Sequence, residues 1–157
     1  MKNIITPSEA VALAWGAGEY MSPGAVSEAD IAAAERRYLI PVIGSELAVA
    51  LAGGRYAELR SDYAAPALAM FVRVSVQPSL DIRTGQAGSV VQSGSYADPA
   101  GSEARASSLR SLRRRAGALL RRLSDKLDSE RASYPEYDPD RNILKRCSTD
   151  GGIAQIF

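Results

Sequence analysis

The stretch SSLRSLRRRAGALLRRL, residues 107–123, places leucines and arginines at the spacing of an α-helix. When residues 105–127 are projected at about 100° per residue, the apolar positions fall within roughly 100°, the width of an ordinary core-facing stripe. These positions are Leu109, Leu112, Ala116, Leu119, Leu120, Leu123 and Leu127. Outside the stripe lie Arg110, Arg114, Arg115, Arg121 and Arg122, with Arg113 at its edge. The sequence therefore predicts one long helix that buries a leucine seam and carries arginines on its back.

The arginine side of this helix has three alternative roles: a solvated face, a face that meets another subunit or backbone phosphates, or a membrane-surface helix. The membrane alternative is the weakest because the apolar side lacks Trp and Phe. Arg is used far more than Lys, and guanidinium groups form planar, bidentate pairs with carboxylates and phosphates. The acidic runs SEAD (27–30) and PEYDPD (135–140) offer such carboxylates on a neighbouring copy. We therefore predict an assembly surface, and we expect Trp15 to be a core or interface anchor.

The amino-acid composition limits the class of protein to which this chain can belong. Hydrophobic residues make up 46% of the 157, and many are Ala, which favours helix strongly but buries little surface. We expect such a protein to gain stability by burying surface against copies of itself. The net charge of +1, from 19 basic and 18 acidic residues, argues against a dedicated nucleic-acid binder. We predict one domain at residues 1–134 and an extended C-terminal tail at residues 135–157.

Residue types that catalysis often needs are missing from the sequence. Because the chain has no His, it has no His-based triad, general base or metal ligand. The single cysteine, Cys147, excludes an intramolecular disulfide and a Cys-cluster zinc site. No phosphate-binding loop of the form GxxxxGKS or GxxxxGKT occurs. We predict a protein that is not an enzyme and has no cofactor-binding or metal-binding residues.

Hydropathy gives no sign of a membrane protein. No stretch approaches the roughly eighteen unbroken apolar residues of a membrane span. The segment MKNIITPSEA lacks the long apolar core of a signal peptide. We expect a soluble protein that is made in the cytoplasm and has no membrane partner.

Capping residues mark the first two helices. Thr6-Pro7-Ser8-Glu9 has the pattern of a capping box and begins a first helix that ends near Gly16 or Gly18. After a turn at MSPG (21–24), Ser27 begins the second helix.

Two prolines interrupt the helical pattern farther along. At YLIPVIGSEL (38–47) the second helix either kinks at Pro41 or stops near Leu39 and restarts at Ser45, with Ser45 as the cap. Residues 56–76 are predicted to be a helix kinked at Pro66, although MFVRVSV (70–76) also has the alternation of a strand.

Residues 77–101, rich in Gly and Ser, change the character of the chain before the arginine-rich helix begins at Ser102. LDIR and SVVQ, separated by TGQAG, predict a small β-hairpin, and the competing interpretation is a flexible loop. The predicted arm residues are Gly85, Gly88, Val90, Val91 and Gly94. We therefore predict an all-α bundle of four or five helices with an irregular or β-hairpin excursion near 77–101.

Two segments carry a resemblance to a known group of proteins. The stretch SEADIAAAERRYLIPVIGSELAVAL (27–51), with YLIPVIGSEL inside it, and YPEY at 134–137 resemble segments of the prophage head–tail connector (head-completion adaptor) family. In that family a Gly-rich excursion and an Arg-rich last helix follow a long helix, as in residues 56–133 here. The resemblance covers about residues 4–140. The tail ILKRCSTDGGIAQIF (143–157) matches nothing in it.

The resemblance implies a mostly helical subunit that forms a ring, of about a dozen copies, between portal and tail and continues the DNA channel. The implied partners are other copies of the chain, the portal protein and tail-proximal proteins, with at most weak non-specific contact with DNA. It also implies residence in the cytoplasm during assembly and at the head–tail junction of the virion afterwards. The excursion would be an arm ordered by neighbouring subunits. An alternative function, based on the residues alone, is a small DNA-binding accessory protein that uses the arginine-rich helix at 105–131.

Overall fold

Counted through their π-helical turns, five helices in the described part of the chain pack as an all-α bundle, which confirms the predicted fold class. This computed structural model describes residues 2–16, 19, 21–81, 83–85, 88–90, 101–150 and 153–156. The helices are α1 (Pro7–Ala14), α2 (Glu28–Ala34) continuing through a π-helical turn (Glu35–Leu39) into α3 (Ile40–Ile43), α4 (Ser45–Ala52), α5 (Ala57–Leu59) continuing through a second π-helical turn (Arg60–Ala64) into α6 (Ala65–Asp81), and α7 (Ser102–Ser129). Two antiparallel hairpins pair β1 (Arg83–Gly85) with β2 (Gly88–Val90) and β3 (Cys147–Asp150) with β4 (Ile153–Ile156).

Helix α6 lies at the centre of the bundle, where it packs against α1, α2 and α7. Six consecutive side chains, Ala67 to Val72, are buried, so neighbours cover the helix on every side. The small side chains of Ala67 and Ala69 let the neighbouring helices approach closely. The strand interpretation of residues 70–76 is wrong because these residues belong to this central helix.

A π-helical turn precedes Pro41 and Pro66 at the same spacing. Ile40 N–H donates to the Glu35 carbonyl and Ala65 N–H donates to the Arg60 carbonyl, each five residues back, and a proline follows immediately. A proline has no N–H for the i−4 bond and its ring crowds that carbonyl, and at these two prolines the ladder widens to accommodate the ring. The chain therefore continues as helix through Pro41 and Pro66 instead of stopping near Leu39.

The break in YLIPVIGSEL comes at Gly44, which ends α3 with φ of 84°. Such a left-handed conformation favours glycine because a Cβ would be strained there. Gly44, rather than Ser45, is the N-cap of α4, and it makes no side-chain capping bond. The prediction that Ser45 caps the helix is therefore wrong, because the chain turns one residue earlier.

The N-terminal segment is held against the bundle by a buried carboxylate. Ile4 N–H donates to Glu35 Oε1 at 2.7 Å, and Glu35 is only 9% exposed. Burial raises the pKa of the Glu35 carboxyl above its ordinary value. The predicted capping box of Thr6 with Glu9 on α1 is confirmed, and so is the predicted start of the second helix at Ser27. Ser27 also forms a capping box with Asp30, which was not predicted.

The excursion is shorter than predicted at its start. Helix α6 continues past the exposed Pro78 to Asp81, so residues 77–81 are helical, and Leu80 still packs against the core. The predicted hairpin is present as β1 and β2, with Gly85 opposite Gly88 and Arg83 opposite Val90. The predicted arm residues Val91 and Gly94 lie outside the described residues.

The leucine seam of α7 packs against α6, as predicted. Ala116, Leu120, Leu123 and Leu127 are buried, while Leu109, Leu112 and Leu119 are partly buried at the edge of the same core. Burial is therefore concentrated in the C-terminal half of the helix.

The predicted extended tail packs onto the bundle as far as residue 146. Buried Asn142 donates from Nδ2 to Ser124 Oγ and to the Tyr137 hydroxyl, both at 2.8 Å. Glu136 accepts a hydrogen bond from the Tyr56 hydroxyl at 2.8 Å and pairs with Arg55 at 2.5 Å. Residues 134–146 are therefore fixed beside the C-terminal end of α7.

We expect Leu123→Asp to unfold the protein, because Leu123 is 0% exposed and an unpaired buried carboxylate costs several kcal/mol. Leu119→Asp should cost less, since Leu119 is only partly buried. Arg121→Asp is the matched control two residues away, and it should leave the fold intact. The check is thermal unfolding followed by circular dichroism; a melted Arg121 variant beside a stable Leu123 variant would contradict the packing.

Candidate functional site

The candidate site is the arginine face, defined as Arg110, Arg113, Arg114, Arg115, Arg121 and Arg122 of α7, and all six side chains are exposed. At about 3.6 residues per turn, Arg110, Arg114 and Arg121 share the side opposite the leucine seam. Arg115 and Arg122, two turns apart, follow one flank of this stripe. Arg113 lies on the other flank. The structure therefore brings all six predicted arginines onto the solvent side of one rigid element.

No member of the arginine face forms a salt bridge with any carboxylate among the residues that the structure describes. Three arginines elsewhere in the bundle do form such pairs: Arg55 with Glu136, Arg60 with Glu9 at 2.8 Å, and Arg73 with Glu19 at 2.6 Å. The exposed Arg36 and Arg37, like the arginine face, form none with the described residues. An exposed guanidinium that forms no salt bridge with the described residues is available for an external carboxylate or phosphate.

On the flank of the arginine face, Arg122 contacts an aromatic ring and Arg115 interacts with a carboxylate. The Arg122 guanidinium lies 4.7 Å from the centroid of the Tyr63 ring, which Lys126 also approaches at 5.5 Å. Cation–π contact of this kind orients a guanidinium but leaves its donors free. Arg115 acts on Glu19 through its charge, so the N-terminal region reaches this flank.

Trp15 belongs to the core, where it is 8% exposed, and the Arg73 guanidinium lies 5.1 Å from its ring centroid. Arg73 also donates to the Ala14 carbonyl at 2.7 Å and to both oxygens of Glu19. Hydrogen bonds from Arg73 and from the Gly16 backbone, together with the Arg73 and Arg115 charges, lower the pKa of Glu19 to about 2. Of the two predicted roles of Trp15, the structure shows the core role.

The N-terminal half of α7 contributes only partly buried side chains to the core. From Ser102 to Arg115, all of which the structure describes, no side chain is fully buried, and Leu109 and Leu112 pack at the edge of the core. This half-helix follows the excursion near 77–101, which was predicted to be an arm. Four of the six arginines lie on the half-helix.

The two acidic runs predicted to meet these arginines are partly used within the chain. Asp30 closes the capping box of α2, and Glu28 accepts a hydrogen bond from Asn3. Glu136 is bound by Tyr56 and Arg55. In the second run, Asp138 and Asp140 are exposed. The run at 135–140 therefore retains outward-facing carboxylates.

Every distinctive residue of YLIPVIGSEL has a structural role. The Tyr38 ring stacks on Phe71 with centroids 4.3 Å apart, Pro41 follows the π-helical turn, Gly44 ends α3, and Leu47 is buried. Helix α3 contacts the 3₁₀ turns Pro139–Arg141 and Ile143–Lys145. The two segments that carry the sequence resemblance thus lie together in the fold.

The cleft and the acidic residues elsewhere in the described part of the chain do not form a second candidate site. A cleft of about 650 Å³ opens between the N-terminal segment and α4–α5, and Arg60 on its wall is already bound by Glu9 and the Ile4 carbonyl. Among the described residues, no three His, Cys, Asp or Glu side chains are grouped so that they would hold a metal ion. No helix in the described part of the chain has the length and apolar character to cross a membrane.

Sequence reasoning missed Arg60 and Arg73 as structural residues. Arg73 interrupts the apolar run MFVRVSV, and a charge at that point of a buried helix is the signal that it needs a partner. The partner itself, Glu19, lies 54 positions away and could not be identified from spacing.

Comparison with known proteins gives one match. The model of a family described as a family of unknown function (DUF6712) matches residues 35–146, from the first π-helical turn to the end of the docked tail. No curated protein and no solved structure matches the chain.

We expect Glu19→Gln to lower the free energy of unfolding at neutral pH by about 1 kcal/mol or less, since the Glu19 side chain is 48% exposed and solvent screens the pair. Because the folded-state pKa is depressed, this stabilisation is present above pH 4.5 and is lost as the pH falls towards about 2. Urea unfolding of both proteins between pH 7 and pH 2 measures it. Glu46→Gln, at an exposed carboxylate without a salt bridge among the described residues, is the control; a Glu19 difference independent of pH would contradict the pairing.

We expect that deleting residues 84–95 and joining the ends with a short linker preserves the helical circular dichroism but impairs assembly. The described residues of this segment, 84–85 and 88–90, are strand residues and not helical, and loops of this kind serve function more often than stability. A control of full length, with residues 84–95 replaced by Gly and Ser, separates the effect of length from that of sequence. Loss of the helical signal in the deletion would place the segment in the core instead.

Proposed function

The chain belongs to the DUF6712 family, and we propose that it is a phage structural protein: a subunit of the head–tail connector that forms a ring between portal and tail. One observation carries the proposal: six exposed arginines that form no salt bridge with any described residue lie on α7, and four of them lie on a half-helix that contributes nothing fully buried to the core. Such a surface is available to an external carboxylate or phosphate, with which guanidinium groups pair bidentately.

The resemblance in sequence supports the same assignment. YLIPVIGSEL and YPEY, which resemble segments of the connector family, pack together and fix residues 134–146 beside the end of α7. The proposed protein is made in the cytoplasm and resides at the head–tail junction of the virion. Its proposed partners are other copies of itself, the portal protein and tail-proximal proteins.

The charge of the chain suits a DNA conduit better than a clamp. DNA must slide through a connector, and tight phosphate contacts would hinder its passage. A net charge of +1 supplies little long-range attraction for a polyanion. The proposed connector therefore has at most weak, non-specific contact with DNA.

A second candidate function is a small DNA-binding accessory protein. It is favoured by one observation, the alignment of Arg110, Arg114 and Arg121 along a single outward side of α7. Such a row would contact backbone phosphates, and its affinity would fall steeply with salt.

Labelled duplex DNA titrated at two salt concentrations separates the two functions. We expect a Kd no tighter than the ~10⁻⁴–10⁻⁶ M of non-specific binding at physiological salt. In parallel, light scattering of the protein mixed with the portal protein of the same genome should reveal a defined complex. The Leu123→Asp variant, unfolded, is the negative control for portal binding. Sequence-specific, nanomolar DNA binding by a monomer or dimer that ignores the portal would favour the second function.

A further inference from the structure

Charge is segregated between α7 and the rest of the chain. Helix α7 holds eight basic and three acidic residues, while the remaining chain holds eleven basic and fifteen acidic residues. The helix therefore carries +5 and the rest carries −4, although the whole chain is nearly neutral.

The positive charge is concentrated in the exposed N-terminal half of α7. Residues 102–115 contain five arginines and one acidic residue, Glu103. In the C-terminal half, Asp125 and Asp128 offset part of the charge, and Lys126 and Lys145 are engaged with Glu130 and Asp128. The half-helix with Arg110, Arg113, Arg114 and Arg115 is the positive end of the molecule.

Carboxylates line a cleft at the opposite end of α7. A space of about 220 Å³ lies between the start of α4 and residues 135–141, and its charged lining residues are Glu46, Glu136, Asp138 and one cation, Arg141. Glu46 is exposed and has no salt bridge among the described residues. Asp138 accepts a capping hydrogen bond from Asp140 N–H at 3.0 Å and pairs with the highly exposed Arg141 at 3.5 Å. We call Glu46, Asp138 and the exposed Asp140 the carboxylate surface.

The exposed half of the arginine face lies away from the carboxylate surface within one molecule. From Arg113 to Ser124, whose hydroxyl binds Asn142 close to the carboxylate surface, the helix rises about 16 Å. The arginines of this half-helix are therefore about three turns of α7 away from the segment that carries Asp138 and Asp140.

We propose that the exposed half of the arginine face docks onto the carboxylate surface of a second copy of this chain, head to tail. A two-fold symmetric contact through the arginine face would place positive charge against positive charge, whereas a head-to-tail contact pairs opposite charges. Repeated with a fixed rotation, the contact builds a ring. The closure of this assembly into a ring rests on the proposed connector function. The pairing of the two surfaces itself requires neither portal nor DNA.

A second copy fits this face better than a nucleic acid does. A polyanion approaching α7 also meets the −4 of the remaining chain, whereas another copy presents that negative charge as its docking surface. Bidentate pairing of guanidinium with carboxylate is the contact that both surfaces are equipped to make.

Charge reversal tests the proposal through two variants that should fail alone and succeed together. In Arg110→Glu/Arg113→Glu/Arg114→Glu, the half-helix with Arg110, Arg113, Arg114 and Arg115 changes from +4 to −2, so both surfaces become negative. In Glu46→Lys/Asp138→Lys, the carboxylate surface changes from −3 to +1, so both surfaces become positive. Each variant alone should lose self-association by about tenfold or more in Kd. An equimolar mixture should recover it, because every contact in an alternating assembly again joins opposite charges. Sedimentation velocity over micromolar to millimolar concentrations, at low and high salt, measures the assemblies.

The matched control is Glu58→Lys/Asp62→Lys, which makes the same charge change at exposed carboxylates outside the carboxylate surface. This variant should self-associate like the wild type and should not rescue the arginine variant. If circular dichroism shows that the Glu46→Lys/Asp138→Lys variant is misfolded, the single substitution Glu46→Lys replaces it, because Glu46 makes no capping bond. It should show a smaller loss in the same direction.

Three outcomes would overturn the proposal: no self-association of the wild type at any concentration, self-association unchanged by the arginine variant, or rescue by the control as good as by the matched partner. An arginine variant that loses only binding to labelled duplex DNA would likewise assign the face to nucleic acid. Failure of the connector function has a different signature. In that case the charge-swapped mixture still assembles, but the wild type does not bind the portal.

Discussion

The burial of α6 on every side is the constraint on which the rest of the structure depends. Helices α1, α2 and α7 pack against it, and its buried positions include small side chains such as Ala67 and Ala69. A buried polar group on this helix costs free energy unless a neighbour satisfies it. Arg73 reaches Glu19, the Ala14 carbonyl and the ring of Trp15, although its Nε has no hydrogen-bond partner among the described residues. The same arrangement brings the charge of Arg115 close to Glu19 and so ties α1 to the flank of the arginine face.

Features encoded over a few residues could be predicted from the sequence. The capping box at Thr6, the helix start at Ser27 and the leucine seam of α7 depend only on spacing within one helix, and the structure confirms them. The behaviour at Pro41 was not predictable, because a helix passes a proline through a π-helical turn only when packing on both sides favours continuity. Likewise, the end of α6 at Asp81 depends on the contact of Leu80 with the core.

The candidate site, too, has features that could be predicted from local sequence and features that could not. Periodicity shows that the arginines of α7 face outward, since the leucines fix which side is buried. It does not show whether they lack partners, because pairing depends on distant residues: Tyr56 and Glu136, for example, are 80 positions apart and remove one carboxylate from the acidic run at 135–140. Only the folded chain reveals that Glu46, from another helix, joins Asp138 around one cleft.

The near-zero net charge is a product of two opposed surfaces and not of an evenly mixed one. The exposed half of the arginine face and the segment beside Ser124 are about 16 Å apart along the axis of α7. This exceeds the roughly 8 Å screening length at physiological salt, so within one molecule the two surfaces hardly stabilise each other. Across copies the same charges come into contact, where their attraction is strongest. A head-to-tail assembly of such subunits leaves neither the positive nor the negative surface unpaired. The near-zero net charge that argues against a DNA clamp is therefore also the net charge expected of a subunit whose two charged surfaces bind each other across copies.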